Sequence, residues 1–504
     1  KNEISNWFAF VFSCKALIHL LLGIDERNLP VYLCSLLTES VINSLDMTKT
    51  LLCFFLVAML CVTSAKAQVA ASDSVAEHVG GNRFSVGGYG EAAYTREFFS
   101  DNVYRYSNAG KYKKDPSHGR FDIPHAVIYL NYDFGKGWTM GSEIEFEHTG
   151  TGVSFEKEYE ESGEWEQEVE KGGEVELEQF WIQKRFGRWL NLRMGHIVVP
   201  FGLTNAYHEP LHYFTVYRPE GEATVLPCTW HQTGVSLWGL LGSWRYELQF
   251  LPGLDAMSFS RDKWIQKGAG SAMEFAVANK YAIALRVDNY SIPGLRIGLS
   301  AYYGHSIDNT LGRDANGKAS TLKGALCLGS LDFTYNAHNW IARGNFDYGH
   351  LGDADEVRLL PGRQTKTSPF NRDYVGKAAI ACGLEVGYNI FSQIEKLRAD
   401  NQKLYAFAHY EYYNSYIPTA MQPKFPYTEK HRMAVGLNYY PIPQIVIKAE
   451  YSQRFLKRQY NNTRVRDKVS MQTVLTALIF QHKQAEPQVY CQKSNRLLGQ
   501  NIGS

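Results

Sequence analysis

Charged side chains alternate with apolar ones in many short segments of this 504-residue chain. In residues 244–251, for example, Arg245, Glu247 and Gln249 alternate with aromatic and aliphatic residues. Successive side chains of a β-strand point to opposite faces, so such a segment places its charges on one face. An arginine-rich face attracts anions. On a face with as many acids as bases, the charges can instead pair in salt bridges and give no selectivity. The sequence leaves both interpretations open.

The residues that could carry this chemistry are the charged members of the polar faces and one arginine in a long loop. They are Arg193, Arg218, Arg245, Arg286, Arg296, Arg343, Lys448, Arg454, Glu143, Glu145 and Glu147. We expect them to line an inner path, with the basic residues forming a track that attracts small anions. The chain has 52 Lys and Arg against 51 Asp and Glu, for a net charge of +1. That balance argues against a nucleic-acid partner.

Segments of period two recur from residue 82 to residue 480 and predict an all-β fold. In residues 174–203 two runs flank a break at 186–189. Leu190, Leu192 and Met194 alternate with polar residues in the second run, whereas the first run alternates less cleanly. We count about sixteen strands (about 16–18), joined alternately by short turns and long segments. This pattern predicts a transmembrane antiparallel β-barrel with short periplasmic turns, long extracellular loops and a water-filled lumen. A soluble β-sandwich or propeller is the alternative, although no repeat indicates a propeller.

The start of the chain predicts export. Residues 47–67 contain a lysine, an apolar core and an Ala-Lys-Ala cleavage site, as a secretory signal peptide does. We therefore expect 1–46 to be upstream sequence outside the native protein, 68–81 to be a short periplasmic lead and 82–480 to be the barrel. Outer-membrane barrels end on an aromatic residue, which Phe480 would supply. We expect 481–504 to be a non-native or periplasmic tail.

Two long loops differ in character. Residues 150–173 are strongly acidic and predict a solvated external loop. Residues 204–230 are apolar and aromatic, so we expect this loop to fold into the barrel and narrow it, with Arg218 near the constriction. The histidines and glutamates in and next to this loop are His208, Glu209, His212, Glu220, Glu222 and His231. Their spacing matches no metal motif, so we favour packing and hydrogen bonding and predict no metal site.

The chain shows no signature of catalysis. It contains no nucleophile elbow, no phosphate-binding loop and no paired-carboxylate motif. Of its eight cysteines, three fall inside the predicted barrel, Cys228, Cys327 and Cys382, and their spacing gives neither a disulfide framework nor a CxxC pattern. We predict no catalytic residue, no cofactor and no enzymatic activity.

The segment NLRMGHIVVPFGLTN, followed by TGVSLWG, resembles the phosphate-selective porin (porin O and P) family in its Bacteroidetes-like form. Two positions depart from that family's pattern, with His196 in place of the usual Gln and Val199 where Lys or Thr is common. The resemblance implies a homotrimer, loops folded inward and basic residues in the pore.

These features predict a porin of the bacterial outer membrane, in contact with its lipids and lipopolysaccharide. Such a porin passes small hydrophilic solutes by passive diffusion, with a preference for anions or phosphate if the basic track dominates. The alternative is a barrel that acts as a structural, adhesive or binding protein at the cell surface without transport. The sequence does not identify the solute.

Overall fold

The computed structural model describes residues 83–99, 111–112, 114–147, 153–159, 165–171, 174–269, 277–309, 322–360, 374–456 and 469–482. The expected signal peptide 47–67, the segments 1–46 and 68–81, and the tail beyond residue 482 lie outside these residues, so the expectations for them stay predictions. Among the described residues, no helix has both the length and the apolar character of a membrane span.

Antiparallel strands make up most of the described chain. They are β1 (Phe84–Glu97), β2 (His118–Asp122), β3 (His125–Gly135), β4 (Trp138–Glu147), β5 (Val153–Tyr159), β6 (Trp165–Lys171), β7 (Glu174–Arg185), β8 (Asn191–Val198), β9 (His231–Leu241), β10 (Trp244–Pro252), β11 (Tyr281–Ile292), β12 (Leu295–His305), β13 (Ala325–Ala337), β14 (Trp340–Leu351), β15 (Ala378–Asn389), β16 (Lys403–Ile417), β17 (Glu429–Ile442), β18 (Ile445–Leu456) and β19 (Val469–His482). The short helices are Leu203–Ala206, Glu220–Val225, Ala354–Val357 and Glu395–Ala399.

The strand pairing closes into a barrel. Each strand from β7 to β19 pairs with the next, β4 joins β3 to β7, and β1 pairs with both β3 and β19. β2 and β3 both pair with β1 at successive positions, on either side of Ile123 and Pro124. The seventeen strand segments of this sheet therefore form sixteen barrel strands. The prediction of an all-β antiparallel barrel of about sixteen strands is confirmed.

The two faces of the barrel wall differ in polarity. Phe250, Ile283 and Val435 point outward and each keeps about half of its surface exposed, whereas Arg286 and Lys448 point inward and are almost fully buried. A charge that faces hydrocarbon costs about 2–4 kcal/mol at the bilayer midplane, and the outward face avoids that cost. The alternation seen in the sequence thus becomes an apolar outside and a charged inside.

The hairpin at 174–203 forms the fourth and fifth barrel strands, β7 and β8, but β7 contains a β-bulge. Successive residues of β4 pair with Gln179 and Leu177, so Glu178 is an extra residue. Before the bulge Leu177 points outward, and after it Phe180 and Ile182 do. This change of phase explains why the first run of the hairpin lacks a clean alternation.

The acidic segment 150–173 is not simply a loop. Its strands β5 and β6 pair with each other in a separate two-stranded sheet. Glutamates alternate with other residues there, and that alternation suits a hairpin with one polar face. The prediction that this segment is a solvated external loop stays a prediction.

Candidate functional site

The chain between β8 and β9, residues 199–230, lies inside the barrel, and we call it the inner loop. It begins at the Pro-Phe-Gly motif, where Gly202 has a positive φ of 75°. A Cβ atom at Gly202 would lie 2.1 Å from Oε1 of Glu222, so only glycine fits. The same carboxylate accepts hydrogen bonds from the backbone N–H of Leu203 (2.6 Å) and Thr204 (2.5 Å). Arg286 of β11 donates to the Gly202 carbonyl at 2.8 Å.

Three glutamates of the barrel wall, on β15, β16 and β18, also accept hydrogen bonds from the backbone of the inner loop. One carboxylate oxygen of each accepts a hydrogen bond from a loop N–H, and the other accepts from an arginine of the wall. The loop contacts are Glu385 with Phe214 (3.1 Å), Glu411 with Gly221 (2.8 Å) and Glu450 with Val216 (2.8 Å). The arginine contacts are Glu385 with Arg343, and both Glu411 and Glu450 with Arg432. Buried backbone groups need partners, and here the wall side chains supply them.

Lys448 of β18 provides the strongest single anchor. Its Nζ donates to the backbone carbonyls of Pro210 (2.7 Å), Tyr213 (2.8 Å) and Thr215 (2.9 Å). The ammonium group also lies 4.5 Å from the centroid of the Tyr213 ring. All three donor positions of the ammonium are therefore used by the loop.

Aromatic stacking adds to these hydrogen bonds. Phe214 of the loop stacks on Phe407 of β16 with ring centroids 5.4 Å apart and an interplanar angle of 9°, and it also contacts Tyr405 at 5.5 Å. The inward face of β16 is aromatic because it packs against the loop. Residues 404–416 are aromatic on both faces, so the sequence alone leaves the phase of this strand unclear, and the packing against the loop explains why.

Glu220 connects the loop to β16, β17 and β18. It forms ion pairs with Arg432 and Arg454 and accepts a hydrogen bond from the Tyr413 hydroxyl at 2.8 Å. Burial by itself raises the pKa of this carboxyl, but Arg454 and Arg432 outweigh burial and hold the pKa well below its usual range. Glu220 is therefore a charged anchor at neutral pH.

A second part of the wall, β11 to β13, carries a network of charges that neutralise one another. Arg286 contacts Asp288 (2.9 Å) and Asp332 (3.0 Å), and Arg296 contacts the same two aspartates at 2.9 and 2.6 Å. Tyr207 of the inner loop covers this network, with its ring centroid 4.4 Å from the Arg296 guanidinium. The wall here meets the loop through this aromatic face and through the hydrogen bond from Arg286 to the Gly202 carbonyl.

The remaining basic candidates have separate surroundings. Arg245 pairs with Glu247 at 2.6 Å, and Arg193 donates to Gln183 at 3.1 Å and lies over the Trp181 ring at 4.5 Å. Each of these pairs lies on the inward face of the wall, as the alternation predicted. The pairings Arg245–Glu247 and Arg286–Asp288 join residues two positions apart on one strand.

Arg218 holds the inner loop together. Its guanidinium donates to Sγ of Cys228 (2.7 Å) and to Oγ1 of Thr229 (2.9 Å), near the end of the same loop.

The three glutamates of β4 lie close to histidines. Glu145 hydrogen-bonds to Nδ1 of His125. One side-chain nitrogen or oxygen from each of His125, Glu145 and Glu147 lies within 4.8 Å of the others. Glu143 accepts a hydrogen bond from Gln179 at 2.5 Å and faces His208 of the inner loop.

Three residues of the site escaped the sequence analysis: His409, Glu411 and Arg432. His409 pairs with both Glu385 and Glu411. His409 and Glu411 lie on the strand whose phase was unclear, and Arg432 sits near the start of β17. The sequence did contain a signal for these residues: each is a polar or charged residue next to Tyr410 or Met433, whose side chains point outward.

A cavity of about 820 Å³ extends from the inner loop toward the short turns. It is lined by loop residues Leu203, Tyr207 and Tyr213, and by Arg296 and Arg343 of the wall. Two of the basic candidates therefore face this space directly.

No protein-family model matches the chain. Over 391 residues the chain is 26% identical to a protein of Aquifex aeolicus (strain VF5) described as uncharacterized, and the match covers 75% of this chain and 77% of that protein.

The solved structures similar to this chain include outer-membrane channels. One is the outer membrane channel DcaP of Acinetobacter baumannii, with 9% identity, a TM-score of 0.46, and coverage of 79% of this chain and 96% of that chain. A second is the anion-selective porin of Comamonas acidovorans, with 10% identity, a TM-score of 0.45, and coverage of 79% and 99%. A third is the trimer form of OmpT of Vibrio cholerae, with 11% identity, a TM-score of 0.43, and coverage of 79% and 100%.

Proposed function

We propose that this chain is a channel of the bacterial outer membrane through which small hydrophilic solutes diffuse passively. The observation that carries the proposal is a closed sixteen-stranded barrel with an apolar outside, a charged inside and a long loop bound to its inner wall. In a bilayer every backbone polar group must find a partner within the protein, and a closed barrel meets that need. A barrel of this strand number is wide enough for a water-filled lumen.

We further propose that the inner loop narrows the channel. Its support is the hydrogen bonding between the loop and β15, β16 and β18, which ties a non-sheet segment to the wall opposite its own strands. The cavity of about 820 Å³ meets the loop at one end. The loop is therefore the natural size filter.

A preference for anions, including phosphate, is the finer part of the proposal. Arg296 and Arg343 line the cavity, and we count Arg193, Arg218, Arg245, Arg286, Lys448 and Arg454 as the further members of the proposed basic track. The acids Asp288, Asp332 and Glu385 pair with several of these residues and reduce the net field. We therefore expect a modest preference.

The proposal also includes the lipids around the channel and its assembly into a homotrimer. The outward apolar face contacts outer-membrane lipids and lipopolysaccharide, and three copies assemble into a homotrimer, as the resemblance to the phosphate-selective porin family implies. Chemical crosslinking of the detergent-solubilised protein tests the trimer, because a band at three times the monomer mass is expected.

Liposome swelling tests transport directly. Purified protein is reconstituted and the liposomes are diluted into neutral sugars of increasing size. We expect fast swelling with the smallest sugars and a steep decline with size, because the inner loop limits the passage. Liposomes without protein are the control. Folded protein that supports no swelling with any sugar would contradict a channel and favour a surface-displayed barrel.

A further inference from the structure

A buried group of two carboxylates and one imidazole joins the inner loop to the wall. Glu143 comes from β4, Glu178 is the extra residue of the β7 bulge, and His208 belongs to the inner loop. Nε2 of His208 lies 3.7 Å from Oε1 of Glu143 and 3.8 Å from Oε2 of Glu178. One ligand atom from each residue falls within 4.8 Å of the others.

The polar atoms that face one another here are unsatisfied. Glu178 is completely buried, and within the described part of the chain neither of its carboxylate oxygens has a hydrogen-bond partner. The same holds for Oε1 of Glu143 and Nε2 of His208. Buried polar atoms without partners are unfavourable, so this arrangement calls for a ligand between them.

The ring of His208 is held in the orientation that a metal ligand needs. Its Nδ1 lies 3.2 Å from the backbone carbonyl of Asn205, to which it can donate. In that tautomer the lone pair of Nε2 points toward the two glutamates. A histidine ligand of a metal typically has its other ring nitrogen fixed by such a carbonyl.

The distances suit a single small cation. Zinc binds imidazole nitrogen and carboxylate oxygen at about 2.0–2.2 Å, so two ligand atoms of one ion lie at most about twice that far apart. The separations of 3.7 and 3.8 Å fall inside this limit, yet they are too long for direct hydrogen bonds. A nitrogen ligand disfavours Mg²⁺ and Ca²⁺, which prefer oxygen alone.

We propose that Glu143, Glu178 and His208 bind one divalent transition-metal cation, with Zn²⁺ as the best match, and so fasten the inner loop to β4 and β7. The bulge is needed in this arrangement, because it is the shift of phase in β7 that points the side chain of the extra residue, Glu178, inward. The test of this site does not depend on transport, because metal binding is measured on the folded chain.

Calorimetric titration of the metal-stripped, full-length protein in detergent with Zn²⁺ tests the site. We expect one tight site per chain, and Glu178→Gln and His208→Gln should each weaken it by about tenfold or more. Glu247→Gln is the matched control, since Glu247 is also a buried wall carboxylate but lies with Arg245, Ser236 and Gln249. It should leave the affinity unchanged. If Glu178→Gln does not fold, His208→Gln and Glu143→Gln carry the test.

X-ray absorption at the zinc edge provides a second readout on the unaltered protein. The spectrum should show one imidazole nitrogen, oxygen ligands and no sulfur. Zinc bound with a sulfur ligand, binding that all three variants leave intact, or no tight binding at all would overturn the proposal. In the last case a protonated His208 between the two carboxylates would explain the cluster.

Discussion

Two parts of the inner wall use similar charges for different purposes. On β11 to β13, Arg286 and Arg296 bind Asp288 and Asp332, so the charges of the wall satisfy one another. On β15 to β18, the wall charges reach across to the inner loop. Lys448 binds three loop carbonyls there.

The difference shows that charge pairing in the lumen is not uniform. In the first part, which we call the self-paired wall, a lost charge chiefly disturbs its neighbours on the same strands, although Arg286 also donates to the Gly202 carbonyl of the loop. In the second part, the anchoring wall, a lost charge releases a segment of the loop. Substitutions in the anchoring wall should therefore change the conductance of the channel. Matched substitutions in the self-paired wall and next to it should chiefly change the stability of the protein.

The largest effect is expected for Lys448→Met. The methionine removes three hydrogen bonds from a charged donor, each worth about 1.5–3 kcal/mol, and releases residues 210–215 from the wall. Single-channel conductance should rise markedly and become noisier. Arg245→Met, which removes a cation bound to Glu247 and Asp288, is the control and should leave conductance close to the original. Equal effects of the two variants would refute the division into two walls.

A smaller effect is expected for Glu220→Gln. The amide cannot form the ion pairs with Arg432 and Arg454, so the loop should loosen and conductance should rise at neutral pH.

Acid should reduce the stabilising contribution of Glu220 in the unaltered protein. The pKa of Glu220 is lowered in the folded state, so its contribution to stability is present above its ordinary pKa and is lost as pH falls through the folded value. The unfolding temperature measured between about pH 7 and about pH 3 should therefore fall only toward the acid end. In Glu220→Gln this part of the pH dependence should disappear, and its persistence would assign it to another group.

Gly202→Ala tests the base of the inner loop. Alanine there combines a positive φ with a Cβ only 2.1 Å from Glu222, so we expect a lower unfolding temperature. Gly135→Ala is the matched control, because Gly135 also has a positive φ (83°) but has no atom within 4 Å of the added Cβ. Both variants share the backbone strain, and the additional loss in Gly202→Ala measures the contact with Glu222. Equal losses would mean that the contact is unimportant.

The smallest effect is expected for Arg296→Met, which sharpens the proposal of an anion preference. Removing this cation from the cavity lining should shift the reversal potential in a salt gradient modestly toward cations. Lys184→Met is the control, since Lys184 lies on the outward face and hydrogen-bonds to the Lys136 carbonyl. A shift of the same size in both variants would remove the support for a basic track.

The sequence predicted the barrel well because each strand separates an apolar outer face from a polar interior. That physical requirement imposes a period of two that can be read locally, as in Trp244, Arg245 and Tyr246. The prediction of the strand faces failed where one residue changed the phase of the alternation. The bulge at Glu178 and the aromatic inner face of β16 both depend on contacts with other parts of the chain.

The site was less predictable than the fold. The composition of 204–230 suggested that the loop enters the barrel, but its partners on the wall lie far away in sequence. Glu450 is 234 residues from Val216, and Glu385 is 171 residues from Phe214. A short motif cannot encode such pairs, because they are defined only when the barrel closes. The cluster of Glu143, Glu178 and His208 escaped for the same reason.

Planar-bilayer recording of the purified protein tests the central claim most directly. If the barrel is a channel narrowed by its inner loop, the protein should insert in discrete steps of uniform conductance, and Lys448→Met should give larger steps. Protein that is folded, as judged by its β-sheet circular dichroism, and inserted in the bilayer but gives no conductance steps would contradict the account.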